Sequence, residues 1–532
     1  MWQQILGFIE EVNSAVNSVV WGWPMVILIL GTGLLLTIRT KVLQVRKFGM
    51  SCKETIVPTL KSMGKKKVNV KGENSVSPFE AFATAISGTV GTGNIIGVSS
   101  AIMTGGPGAV LWMWISAFFG MVTNYSENVL GMFFRKKDKD GELSGGPMYY
   151  LSQGIGRNVE GKKGNFLKKF GLVLGFLAAV FCAVAGIGMS GAQTNNISIT
   201  IQSVIPNANG DTVALIVGIV VSIVLALVIL GGIKAIGRVA SILVPFMSLL
   251  FILMALVVIL LNISMVGNAF ALIFGNAFSI NSAISGFVSY NFGQIIQKGL
   301  ARGVFSNEAG LGSSVIAHSA SATREPVKQG FWGVFEVFFD TFVICTLTAL
   351  VILVSLPKET IYAMQDGELM FDSAQISLKA FEATFSTFGT VVYAIIVPLF
   401  GFTTILAWSY YGEKAVEYLF RPTGDKGRKI ARTTFKIIYV LMVIVAATMD
   451  GELAWAISDT CNGLMALPNL IGLVIMSGLV AKITKNYLDR KAGKDVEPML
   501  SAYPEQNEEF KKELLDEQTV EEENAKAVKE AE

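Results

Sequence analysis

Four glycines and an asparagine crowd a single apolar stretch. Residues 84–108 read TAISGTVGTGNIIGVSSAIMTGGPG, so Gly88, Gly91, Gly93 and Gly97 stand where a membrane helix should be most regular. In hydrocarbon each freed N–H or C=O costs several kcal/mol unless something pairs with it, so non-helical backbone survives only against protein or a polar cavity. The spacing therefore predicts a membrane helix broken at Gly91-Thr92-Gly93-Asn94. The N–H groups of Gly93 and Asn94, at the start of the outer half-helix, suit a carboxylate by dipole and hydrogen bond. Carbonyls from Ala85 to Thr89, across the break, suit Na⁺. Close packing of small residues would account for Gly93 and Gly97, four apart, but not for Thr and Asn standing in place of apolar residues.

Three further runs carry polar groups into apolar segments. In Gly186-Ile-Gly-Met-Ser-Gly-Ala-Gln193-Thr-Asn195, small residues permit close approach to the broken helix and Gln193 both donates and accepts. Thr404 and Trp408 share a face at i, i+4, and the hydroxyls of Thr403 and Thr404 suit a hard cation. Trp408, Phe292 and Ile296 are candidates for apolar walls that limit a solute's side chain by volume, against the plainer reading of core packing. Glu127, Glu336 and Asp340 also fall in apolar spans, where an ionisable group marks a proton relay or a solvated helix end. Ser306 to Ser314, S-N-E-A-G-L-G-S-S, is expected as an inner loop that gates the inward path or forms a structured turn, with His318 just beyond it.

The elements that must hold these residues are membrane helices. Of 532 residues 52% are hydrophobic and 16% charged, and the mean hydropathy is +0.55; this composition belongs to an all-α polytopic membrane protein. Apolar segments able to span the bilayer fall at about 18–38, 78–102, 108–134, 168–202, 212–233, 236–262, 284–305, 330–356, 384–412, 430–449 and 453–481, eleven in all. The stretch 268–280 is too short to span and is expected as an interfacial or re-entrant piece. With the N-terminus outside, the outer segments hold only Lys358 and Lys379 of the 43 Lys and Arg. That alternation places the C-terminus inside, in the cell membrane.

Setting aside residues 1–77, an extra helix with a basic linker, leaves five spans in 78–262 and five in 284–482, joined by an external loop at 263–283. Five is odd, so the halves run oppositely, as in an inverted repeat whose first helix is broken in each half. The second break is expected in Ser289-Tyr290-Asn291-Phe292-Gly293-Gln294. Residues 483–532 form a charged tail, disordered or loosely helical.

Three motifs together, G-T-G-N-I-I-G-V with G-G-P-G-A-V-L-W-M-W (91–98, 105–114), S-G-G-P-M-Y-Y (144–150) and S-N-E-A-G-L-G-S-S with A-H (306–314, 317–318), resemble the alanine or glycine:cation symporter family. The resemblance runs to about residue 485. It implies Na⁺-driven symport of a small neutral amino acid, alanine or glycine, on the inverted-repeat fold of LeuT-type transporters. It also implies site residues: the carboxylate at Gly91, Thr92, Gly93 and Asn94, the amino group at Gln193 and near Phe292 and Gly293, and the side chain against Ile296, Thr404 and Trp408. Ala85, Thr89, Thr403 and Thr404 are the candidate cation ligands. After Gly186-Ile-Gly, the run Met189-Ser-Gly-Ala-Gln-Thr-Asn-Asn departs from the family's G-N-x-x-Q-x-N-S form.

A proton-coupled carrier using Glu127, Glu336 or Asp340 is the competing transport reading, and a solute-sensing receptor the non-transport one. Scattered Cys52, Cys182, Cys345 and Cys461 and a lone His318 assemble no transition-metal site, cofactor or hydrolytic constellation, so an enzyme is not expected. Nor is a nucleic-acid partner, at a net charge of +3.

Overall fold

A computed structural model describes residues 2–62, 75–137, 141–205, 209–279, 281–283, 289–365, 368–449 and 451–515. The end of the charged tail, 516–532, and residues 63–74 of the predicted basic linker lie outside them. In chain order the main helices are α1 (Trp2–Val20), α2 (Trp23–Arg39), α3 (Pro78–Thr89), α4 (Ile96–Gly105), α5 (Ala109–Phe134), α6 (Gly161–Ser203), α7 (Gly210–Ile229) and α8 (Gly232–Leu261). They continue as α9 (Ile263–Ala277), α10 (Phe292–Asn307), α11 (Ser314–His318), α12 (Pro326–Val337), α13 (Thr346–Ser355), α14 (Thr387–Leu419), α15 (Gly424–Ala447) and α16 (Gly451–Lys491). Phe338–Cys345, between α12 and α13, winds as a π-helix.

Seven of the described helices are long and apolar enough to cross a membrane, or eight if α1 and α2, bent by 43°, count as one span. Their outward side chains, Leu227, Leu230, Phe246 and Leu261 among them, are exposed as lipid-facing residues must be. The expected interfacial piece is α9, a 15-residue helix against which α5 rests through the Trp112 Nε1 bond to the Ala277 carbonyl, 3.0 Å.

Local chemistry sets the ends of the helices that matter. Ser77 and Glu80 cap α3 reciprocally: Glu80 N donates to Ser77 Oγ at 3.2 Å and Ser77 N to Glu80 Oε2 at 3.0 Å. Pro78 takes the first helical position, where its missing N–H is not needed. The helix ends at Thr89; a single turn of 3₁₀-helix, Thr92–Asn94, follows before α4 begins. The first break lies where the glycines place it.

The second break does not lie at 289–294. Ser289–Asn291 is a short strand paired antiparallel with Asn281–Ala283. Asn291 then caps α10, its Oδ1 accepting from Gln294 N at 2.9 Å while Gln294 Oε1 accepts from Asn291 N at 3.1 Å. Those polar residues start a helix rather than interrupt one. The interruption comes at the other end of α10, where Glu308 (φ 54°), Gly310 (φ 96°) and Gly312 (φ 75°) take left-handed conformations before α11. Left-handed backbone cannot continue a helix, and glycine adopts it without a Cβ clash. The stretch expected as an inner loop is therefore the second break itself.

Two packed groups meet around the breaks. In one, α5 lies against α10, α11 and α12, and α3 against α11. In the other, α6 lies against α14, α15 and α16, and α7 against α15. The halves cross-pair: α3 contacts the half-helix beyond the second break and α4 the half-helix before it, α10.

Candidate functional site

At the first break the backbone is tied down by side chains from both groups. Gly91 N donates to Asn94 Oδ1 at 2.9 Å. Thr92 presents its N–H and its hydroxyl to one acceptor, Gln193 Oε1 on α6, at 3.0 and 2.8 Å. Asn196, one turn further, donates through Nδ2 to the Thr92 hydroxyl at 2.6 Å, and its Oδ1 accepts from Trp455 Nε1 at 3.0 Å. Gln193 thus meets the broken helix, as the small residues before it promised.

On the opposite side stands Asp340. Asn94 Nδ2 reaches its Oδ1 at 2.5 Å, while the hydroxyls of Ser306 and Thr341 donate to Oδ2 at 2.8 and 2.9 Å. The residue is fully buried, and among the described residues no Lys or Arg pairs with it. The sequence leaves Asp340 as either a proton relay or a group near a solvated helix end; the π-helix, whose wider turn re-aims side chains, places it beside Asn94 of the first break. Ser306, at the end of α10, joins it from the second break. Thr348 completes the arrangement by donating to the Asn94 carbonyl at 2.8 Å.

From α14, Thr404 Oγ1 donates to the Ser87 carbonyl at 3.0 Å. It therefore joins the carbonyl row before the break, while Ala85 O accepts from Tyr411 at 3.4 Å. Thr89 bonds within α3, to Ile86 O at 3.2 Å, and Thr403 turns its hydroxyl to its own helix, at 3.1 Å from Leu399 O and 3.0 Å from Phe400 O.

Trp408 is fully buried and donates through Nε1 to Glu308 Oε1 at 2.8 Å. It lies against the second break rather than in a wall with Phe292 and Ile296. Phe292 is 36% exposed, its ring against Trp112 at 6.0 Å. Gly293 faces Trp23, and Ile296 packs with Val26 and Leu300. Asn307 lies eleven positions beyond Ile296 along α10, roughly 16 Å of helix. The structure does not bring these three to the first break. The hydrogen-bond donors of the break differ too: Asn94 N is engaged with Gly91 O at 3.2 Å.

The other two carboxylates brace the second break. Glu127 Oε1 accepts from Gly310 N at 3.1 Å and from Asn469 Nδ2. Glu336 Oε2 bonds His318 Nε2 at 2.9 Å, and His318 Nδ1 bonds Gln329 at 2.6 Å. Among the described residues no group of three or more His, Cys, Asp or Glu is placed to hold a metal ion.

Space around the first break is closed by design of its glycines. A Cβ on Gly91 would collide with Thr404 Oγ1 and lie 3.2 Å from Gln193 Oε1, and one on Gly88 would lie 2.9 Å from the Tyr411 hydroxyl. The carboxylate of Asp340 and the carbonyls before the break are oxygens of the kind a hard cation prefers.

Residues 6–501 match the model of the sodium:alanine symporter family. The chain is 40% identical over 483 residues to the sodium/alanine symporter AgcS of Methanococcus maripaludis, covering 91% of this chain and 98% of that one. A probable sodium/glutamine symporter, GlnT, of Bacillus subtilis is 34% identical over 495 residues, 93% of each chain. A solved Na⁺-coupled sialic acid symporter shares the fold at a TM-score of 0.52 and 12% identity, over 85% of this chain and 92% of the other.

Proposed function

Since the chain belongs to the sodium:alanine symporter family, and so is a transporter rather than an enzyme, we propose that it couples Na⁺ to uptake of a small neutral amino acid, alanine or glycine, by alternating access. The observation that carries this reading is the buried carboxylate of Asp340 at the first break, ringed by Asn94, Ser306 and Thr341. A buried charge without a cationic side chain is costly, and a bound Na⁺ neutralises it. Ser87, Thr404 and the carbonyls before the break offer a second set of oxygens for Na⁺.

The solute's carboxylate would take the amides of Gly91 to Asn94 once Asn94 and Gln193 yield them, and its amino group would take Gln193 Oε1. Gly88 and Gly91 leave the side chain little room, which favours alanine and glycine over larger residues. We place eleven crossings in the cell membrane, α2 followed by a 5+5 inverted repeat broken at 90–95 and 308–313, with the N-terminus outside and the C-terminus inside. The two packed groups would rock about the breaks.

Asp340 suits a proton as well as Na⁺, which keeps a proton-coupled carrier as the second reading. Uptake of alanine, glycine and serine into proteoliposomes decides between them. Accumulation driven by a Na⁺ gradient at equal pH supports the proposal. Accumulation driven by a pH gradient without Na⁺ would replace it with the second.

A further inference from the structure

The segment after α16, expected from its composition as disordered or loosely helical, is in its described part built into the fold. Asn507 Oδ1 accepts from Leu500 N at 2.9 Å and Ser501 N at 3.0 Å, which folds the segment back on itself before a helix at 504–515. Phe510 is fully buried with Leu143 and Leu500. Its ring lies beneath two guanidinium groups, Arg135 at 5.2 Å and Arg324 at 4.7 Å.

The docking surface belongs to the group that carries the breaks. Ala502 N donates to the Phe133 carbonyl at the end of α5, 2.8 Å, and Gln506 Nε2 to the Arg135 carbonyl, 3.2 Å. Lys137 pairs with Glu509 at 2.7 Å, and Arg324, in the link between α11 and α12, pairs with Glu513. Arg135 itself grips that link, donating to the carbonyls of Ser319, Ser321 and Thr323 at 3.2, 2.6 and 2.6 Å. The segment's root, by contrast, is α16, in the other group, and Arg157, just before α6, holds the Ala502 carbonyl.

We propose that residues 496–515 are an intramolecular strap that holds the two helix groups together at the face where α5 and α16 end, and that this face opens only when Phe510 and Glu513 let go of Arg135 and Arg324. The proposal rests on the transport reading, in which this face is cytoplasmic and its opening releases solute. Cation–π contacts and partly exposed ion pairs are individually weak. Such contacts can slow a gate without sealing it.

The test combines hydrogen–deuterium exchange with uptake, on the full-length protein in proteoliposomes. Amides of 500–513 should be protected without solute and lose protection when Na⁺ and alanine drive the cycle. Phe510→Ala and Glu513→Arg should each raise the maximal uptake rate severalfold, and Arg324→Glu in the Glu513→Arg background should bring it back toward the parental value. Unchanged protection during turnover, or variants at the parental rate, would overturn the strap. So would a loss of rate and inserted protein that the charge swap leaves unrestored, which is what a mere scaffold would give. A parental protein without Na⁺-driven uptake would instead reject the transport reading, and the strap's role with it.

Discussion

The side-chain amide of Asn94 spans the first break, its Oδ1 accepting from Gly91 N at 2.9 Å and its Nδ2 donating to Asp340 at 2.5 Å. One side chain therefore reports the state of the unwound backbone to the π-helix, and the charge on Asp340 to the backbone. Na⁺ arriving at Asp340 would compete for the contact with Nδ2 and turn the Asn94 oxygen toward itself. That releases the Gly91 amide for a solute carboxylate, so ion and solute would bind with positive coupling.

Asp340→Asn keeps the shape and most hydrogen bonds while removing the charge. Hydrogen bonds to charged groups are worth ~1.5–3 kcal/mol, so the half-saturating Na⁺ concentration should rise by about 10- to 100-fold. Na⁺ titration of alanine uptake, with inserted protein quantified, checks it. A variant with the parental Na⁺ dependence would remove Asp340 from the cation site.

Gly91→Ala should abolish most uptake. The added Cβ meets Thr404 Oγ1 and Gln193 Oε1, both bound to the break, and overpacking of this kind costs ~1–3 kcal/mol. Gly97→Ala is the internal control, because its nearest neighbour would be Trp455 at 3.8 Å. Comparable uptake by the two variants would show that the close approach at Gly91 is not needed.

Trp408→Phe should destabilise the protein by ~1–3 kcal/mol, because it takes a donor from a buried carboxylate. Ser313 remains as the partner of Glu308. In the Glu308→Gln background the same substitution should cost less, since the charge it leaves unpaired is gone. Thermal unfolding in detergent measures both. Equal losses in the two backgrounds would make Trp408 a packing residue with no specific tie to the second break.

The first break was legible because glycine, threonine and asparagine at 91–94 contradict a lipid-facing or core helix by composition alone. That a second break must exist followed from the odd number of spans in each half; its position did not. Asn291 and Gln294 have the types expected of an interruption and also of a capping box, and only hydrogen bonding tells them apart. Hydropathy then favoured a span ending at 305, which turned Ser306 to Ser314 into an apparent loop. The stronger signal was in that loop: a polar run with two glycines, like the first break. Asp340 stands out in the sequence as an ionisable group in an apolar span, but its place beside the first break does not, since a π-helix leaves no mark in a 3.6-residue period.

With the second break at 308–313, Lys298 and Arg302 lie on the half-helix before it, the one that packs against α4. Arg302 pairs there with Asp459 of α16 at 2.9 Å and lies over Trp455 at 5.3 Å. Trp455 in turn packs against Phe305 at 4.9 Å between ring centroids, and Phe305 faces Gly93. In the proposed topology the ion pair and the aromatic pair would together close the outer side of the site. Asp459→Asn should loosen that closure and let solute escape outward. A loss of up to ~1.4 kcal/mol raises KM for alanine by up to about tenfold, with the maximal rate held or increased. KM and maximal rate measured separately give the answer, and an unchanged KM with a lower melting temperature would reduce the pair to a structural contact.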